Sequence, residues 1–368
     1  MILTARPRRQ RGFSIVELMV AVTISIIMFA VIIELFASNK QAYRLQEGAS
    51  ALNESARYAV SHLQYFLRLA DHWGGVQPEN VSIDAGVPIP LATDCDGDGV
   101  VAVVGFRGYE GGSAPPLNCV ADANYVPNTD MFFVRYGASH DVGQDVTDPA
   151  LPFPPNGIPL TPPIPLEDPV TADYIDGANG GGLWFRTVVG RRAVIFNSTD
   201  LEDLPGDVYD PSDPNPLGTT NYRFQAMLYF IRPCQNPASG TSATECDADD
   251  DNIPTLVRMT LNPDLSFTAQ EVVAGIESMQ LLYGVDINAD FVADRYDDAV
   301  TIDSNDNWAQ VVAVRVSLVA LNPERDNTVD DTATYYLEDT TWIPPDDARN
   351  FRRSQFDFTV QIRNTTRY

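Results

Sequence analysis

Oxygen-bearing side chains recur at short, regular steps in two stretches of this 368-residue chain. Asp286, Asn288, Asp290, Asp294 and Asp297 stand at positions one, three, five, nine and twelve of DINADFVADRYD. Calcium takes about six to eight oxygens, and alternate residues on a tight turn can aim several at one centre. Phe291 stands where helix–loop–helix calcium loops use glycine, and Asp297 is shorter than their usual glutamate. The pattern therefore predicts a calcium loop without that fold. Asp94, Asp96 and Asp98, followed by Gly99, open in the same way but reach Gly105 at the twelfth position, so ligands from elsewhere are needed. The competing reading is that Asp and Asn simply favour turns, where they bond their own backbone. Asp247, Asp249 and Asp251 beside Cys246 read as a solvated turn. Catalytic patterns are missing: there is no H-E-x-x-H, phosphate loop, G-x-S-x-G or dinucleotide fingerprint. Of the three histidines, His62 and His72 fall on or at the end of a predicted helix, as packing or surface residues, and His140 falls in a loop. Nothing singles out a glycosidase-like carboxylate pair, so an enzyme is not expected.

One more carboxylate stands out by its setting. Glu17 lies inside FSIVELMVAVTISIIMFAVIIELF, residues 13–36, which is otherwise apolar apart from Glu34 and small hydroxyls. As a helix this span is about 36 Å long at 1.5 Å per residue, enough to cross a hydrocarbon layer of roughly 30 Å. Residues 1–12 carry Arg6, Arg8, Arg9 and Arg11 and no acid, which predicts a cytoplasmic amino terminus and a body on the far side. A secretory signal peptide would end in a small-residue cleavage site, and none follows Phe36. A plain signal anchor does not account for Glu17, since a carboxylate at that depth costs free energy and is a functional candidate. Glu34, at the far end, reads as an interface residue.

The helix is expected to continue through residues 37–75. Leu45, Ala49, Leu52, Ala56, Val60, Leu63 and Leu67 recur at steps of three and four and make one face. Gly48 is a weak point, and Asp71-His72-Trp73-Gly74-Gly75 reads as the stop. Residues 76–368 change to short β-like runs between Gly, Pro and Asp clusters, with strands expected at 100–106, 131–136, 183–189, 193–196, 222–231, 255–261, 279–285, 311–321 and 356–363. The last alternates Phe356, Phe358, Val360 and Ile362 with polar neighbours and should cover a core. The fold class is α+β, one long helix packed on antiparallel sheet. Residues 141–182 are rich in Pro, Asp and Gly and predict a long surface loop; residues 200–218 look similar.

A net charge of -26 speaks against a nucleic-acid backbone as partner. Lys40 is the only lysine. The four cysteines, Cys95, Cys119, Cys234 and Cys246, lack CxxC spacing. In an exported chain they suggest local disulfides Cys95–Cys119 and Cys234–Cys246, although four cysteines allow three pairings and the alternative is four buried thiols.

Gly12-Phe13-Ser14-Ile15-Val16-Glu17, behind a short basic leader and ahead of an apolar run, resembles the prepilin peptidase site of type IV pilins and type II secretion pseudopilins. The resemblance implies cleavage between Gly12 and Phe13, with residues 1–12 removed and N-methylation of Phe13. It also implies a role for Glu17 in assembly, by pairing with a neighbour's new amine. Residues 56–75, 272–296 and 308–321 resemble the PilW family of minor pilins. That implies a pilin-like fold and a role in priming pilus assembly, with a place in the tip complex, supporting twitching motility and adhesion. Implied partners are other minor pilins, the major pilin, prepilin peptidase, the inner-membrane assembly platform, a tip adhesin and, before assembly, membrane lipid. No cofactor is required, calcium being the one candidate. The implied location is the inner membrane, with the body periplasmic, and then the filament or its tip. The alternatives are a minor pseudopilin similar to GspJ and an exported enzyme on a pilin-type anchor.

Overall fold

The computed structural model of the chain describes residues 14–87, 95, 103–138, 182–188, 191–212, 218–237, 245–247, 250–262 and 266–362. It divides into two units, Met1–Ala51 and Leu52–Tyr368. A single 55-residue helix, α1 (Ile15–Leu69), belongs to both and runs unbroken through Gly48. Its first part is long and apolar enough to cross a membrane, and its large side chains from Ile15 to Phe36 are exposed. Thr23 and Ser25 donate their hydroxyls to the carbonyls of Met19 and Ala21, four residues back, at 2.7 and 2.8 Å. Those two polar groups are thereby satisfied within the helix, as a hydrocarbon setting requires.

The second unit begins on the buried stripe of α1. Leu52, Ala56, Ala59, Leu63, Phe66 and Leu67 are buried, while Ala49, expected on the same stripe, is exposed. The helix stops where Asp71 takes a positive φ of 59° and Gly74 one of 60°. A Cβ on Gly74 would lie 2.6 Å from the Tyr222 ring, so only glycine fits the turn. The Asp71 carboxylate then pins the exit, accepting the Gly105 amide at 2.6 Å and the Trp73 indole at 3.2 Å.

Beyond it lie β1 (Val81–Ile83), β2 (Phe106–Tyr109), β3 (Met131–Ala138), β4 (Leu183–Val188), β5 (Arg192–Asn197), β6 (Thr219–Arg232), β7 (Thr255–Leu261) and β8 (Phe267–Ala274). They form one sheet in the order β1-β5-β4-β6-β3-β2, with β7 pairing β6 and β8. All its pairs are antiparallel except β1 with β5. A second sheet, β10-β9-β11-β14, is antiparallel and consists of β9 (Ile276–Val285), β10 (Arg295–Asp297), β11 (Val311–Leu321) and β14 (Arg353–Gln361). A short helix α2 (Ala299–Asn305) follows β10, and β12 (Tyr335–Leu337) and β13 (Thr340–Trp342) make a hairpin.

Period-two alternation divides the central strands between two cores. In β3, Phe132 and Val134 face the α1 stripe, together with Leu281, Tyr283, Val316 and Leu318 of the second sheet. Met131 and Phe133 face away, toward Trp73, Phe224, Leu228 and Phe230. Strands buried on both faces read as largely apolar runs, which is why β3 and the later part of β6 are plain in the sequence. The strand expected at 100–106 lies later: residues 100–102 are outside the described set, and pairing begins at Phe106. Much of the stretch expected as loop at 200–218 is packed instead. Leu201, Leu204, Val208 and Tyr209 close a small core over Trp184 and Phe196.

Candidate functional sites

Gly12 and Phe13 lie outside the described residues, but Glu17 does not. Glu17 Oε2 accepts the Ser14 amide at 3.0 Å, and Ser14 Oγ accepts the Val16 amide at 3.3 Å. This is one half of an S-x-x-E capping box: Glu17 reaches back to the Ser14 amide, while Ser14 caps the Val16 amide rather than that of Glu17. The spacing is visible in the sequence, and reading Glu17 only as an assembly residue leaves it out. The carboxylate therefore lies over the first turn, directed back to the Ser14 amide.

The candidate calcium loop spans the turn between β9 and β10. Asp286 Oδ1 accepts the amides of Asn288 and Asp290 at 3.2 and 3.3 Å, and Oδ2 accepts that of Phe291 at 2.7 Å. Asp294 accepts the Ile287 amide at 2.8 Å and the Asn288 side-chain amide at 3.2 Å. Asp290 accepts the Val292 amide at 2.9 Å. Phe291 holds a φ of 66° at the position where glycine is usual. Four of the five candidates thus belong to one folded turn. Asp297 turns to Arg295, at 2.6 Å. Asp94, Asp96 and Asp98 of the second candidate loop lie outside the described residues.

Cys95–Cys119 and Cys234–Cys246 are disulfides, with Cα atoms 4.6 and 5.8 Å apart. The first joins the core behind the large sheet. The second closes the turn after β6, where Asp251 also accepts the amides of Gln235 and Asn236 at 2.8 and 3.1 Å. Among the described residues, the one group of three His, Cys, Asp or Glu ligand atoms within 4.8 Å is Cys234, Cys246 and Asp250. Its sulfurs are spent in the disulfide, so the acids there stitch a turn.

His62 is buried on α1, its Nε2 3.0 Å from the Tyr229 hydroxyl and its ring 4.8 Å from that of Phe66. Burial, helped by the positive Arg258, lowers its pKa to about 3. A neutral imidazole held between aromatic rings and a phenol is a packing residue.

Residues 243–364 match the family model described as Type IV Pilus-assembly protein W, and residues 7–33 match that of the Prokaryotic N-terminal methylation motif. No curated protein matches the chain significantly. Among solved structures, a type IV-like pilin from Thermus thermophilus is similar over 39% of this chain and 80% of its own, at 10% identity and a TM-score of 0.20. The chain thus resembles the PilW family, with the methylation motif on its apolar N-terminal helix and the PilW-matching region at the end of its β-rich body.

Proposed function

We propose that the chain is a minor pilin that takes part in priming the type IV pilus. It is held in the inner membrane by α1, cut before Phe13, and then drawn into the filament or its tip complex. The observation that carries this reading is Glu17, a carboxylate five residues into the mature chain on a helix whose large apolar side chains are exposed from Ile15 to Phe36. Neighbouring subunits in a filament core would cover that surface, and the Phe13 amine of one would neutralise Glu17 of the next. The role is structural rather than catalytic, and supports pilus extension, twitching motility and adhesion. The partners are other minor pilins, the major pilin, the peptidase, the assembly platform and a tip adhesin. The test is the mass and amino terminus of the protein in purified filaments. N-methylated Phe13 is expected; an intact Met1 with no filament association would leave a signal-anchored periplasmic protein. Deletion should abolish pili and twitching, whereas retention of exoproteins would point to the GspJ-like alternative.

Calcium at the Asp286 loop is a second proposal, supported by a carboxylate that gathers three backbone amides around a left-handed Phe291. Calorimetric titration of the detergent-solubilised chain should show heat with calcium that Asp286→Ala removes.

A further inference from the structure

A sheet edge is a row of backbone donors and acceptors without partners, and folded chains shorten, bend or charge such edges to keep other strands off. The edges of this body follow that rule with one exception. Edge strands β1, β2 and β10 are three, four and three residues long. The longer β8 slips in its pairing with β7 between Leu256 and Val257, and the exposed Glu271 lies along it. The edge strand β14 has none of these devices. Its nine residues pair with β11 in one unbroken register, from Arg353 with Leu321 to Gln361 with Ala313, and include neither proline nor lysine.

Which groups of β14 face outward follows from the bonds at its two ends. The Arg352 carbonyl accepts the Asn322 amide at 2.9 Å, and the Ile362 amide donates to the Val312 carbonyl at 2.8 Å. Even-numbered residues therefore turn their amides and carbonyls to β11, while Arg353, Gln355, Asp357, Thr359 and Gln361 turn theirs away from it. Among the described residues no backbone group pairs with that outer row. Two of its side chains are engaged near the start of the strand, Arg353 with Glu277 and Asp331, and Gln355 with the Tyr336 carbonyl at 2.7 Å. Asp357, Thr359 and Gln361 are exposed, the last with its side-chain amide on the Phe291 carbonyl at 3.4 Å. On the core face Phe356 and Phe358 stay half-buried, so an apolar flank borders the row. On the outer face Asp357 accepts the Ser317 hydroxyl at 2.6 Å and the Gln355 amide at 2.9 Å. The same hydroxyl is 3.0 Å from Glu338, which pairs with Arg315 at 3.6 Å. Among the described residues Asp357 has no ion pair, and this flank is left net negative.

We propose that the 357–361 edge of β14 is a docking site for an extended segment of a partner protein, with apolar residues toward Phe356 and Phe358 and arginine or lysine toward Asp357. The segment joins the second sheet as a strand beyond β14, pairing its backbone with the outward amides and carbonyls of Asp357, Thr359 and Gln361. Directly opposite residues on paired strands have Cβ atoms about 5 Å apart, so a cation across from Asp357 supplies the ion pair it lacks. Charge selects the partner. A second copy of the chain brings the same charge of -26 and sets like against like, whereas a basic strand is attracted by the whole body. The inference rests on the edge itself and does not depend on the assembly role of Glu17.

The experiment is hydrogen–deuterium exchange at single-residue resolution on the full chain in non-ionic detergent micelles, with and without a capped peptide of alternating valine and lysine. Alone, the outward amides of Asp357, Thr359 and Gln361 should exchange fast and the inward amides of Phe358 and Val360 slowly. The valine–lysine peptide should slow the three outward amides about tenfold, and a valine–glutamate peptide should not. Thr359→Pro removes a donor that faces away from β11, so Val360 should still exchange slowly while protection by the peptide is lost. Asp357→Lys, a change at an exposed side chain, should reverse the preference in favour of the glutamate peptide. No slowing with the valine–lysine peptide would overturn the proposal. Equal slowing along β8 would also overturn it, by showing only a general attraction to an acidic chain. So would slowing of the three amides that grows with chain concentration alone, since the occupant would then be a second copy.

Discussion

Glu17 has two demands on one side chain. Its carboxylate already serves the Ser14 amide in its own first turn, and in a filament it would face a neighbour's amine. These demands separate by mutation. Ser14→Ala removes half of the cap and leaves the charge, so incorporation into filaments should stay near wild type; Glu17→Ala removes both and should abolish it. Equal loss in the two variants would mean that capping, not charge, is what assembly needs. His62 makes a pH prediction. Its folded-state pKa of about 3 lies below the usual 6.5, so the unfolded chain takes up the proton first. Stability from this group is therefore complete above pH 6.5 and falls by about 1.4 kcal/mol per unit as the pH drops from there toward 3. Asp71, raised to about 6 chiefly by burial, works in the opposite sense, its contribution falling as pH rises from 3.8 to that value. The comparison that isolates the histidine is wild type against His62→Gln in urea. The gap between them should shrink, or change sign, on going from pH 7 to pH 5, and a gap independent of pH would refute it.

Among the elements, the long connection between β11 and β14 is held down by one buried guanidinium. Arg353 meets both oxygens of Glu277, at 2.6 and 3.1 Å, and Asp331 at 3.5 Å, with its side chain fully buried. Arg353→Met should cost about 3–5 kcal/mol, because two acids are left unpaired, while Glu277→Gln should cost less. Chemical denaturation would measure both. The Cys234–Cys246 bridge closes a separation of 12 residues, so reduction should remove roughly 2–4 kcal/mol from the body. Which elements are legible in the sequence follows from the same physics. The 255–261 run is β7 to the residue, and the alternation expected over 356–363 falls on β14, which starts earlier, at Arg353, and ends at Gln361, because in both burial dictates side-chain type. In contrast, β8 is buried at no residue and carries no pattern, and α2 is seven residues long, marked only by the Asp298 cap. The Asp286 turn could be read because its residues are adjacent.

In the body as a whole, the first and last parts of Leu52–Tyr368 share one core. Leu52 to Leu67 of α1 and the following Ala70 lie in it with Val360 of β14 and Ile362 just beyond that strand. Leu63→Ala, which opens a hole at the fully buried centre of the helix stripe, should cost about 2–5 kcal/mol and lower the melting of both sheets together. Separate transitions would show that the sheets are independent. The shared core also sets a schedule. Its hydrophobic closure waits for residues some three hundred positions beyond the helix that nucleates it, and contacts of that sequence span form slowly. The chain must therefore emerge almost to its end before the body can shut, and until then the aromatic runs of β3 and β6 are open to whatever they meet. A chain stopped at Asn350 should stay wholly sensitive to protease rather than leave a folded remnant. Time spent waiting for the last strand is thus built into the architecture, and a holding chaperone at the point of export is the kind of help such a chain would need.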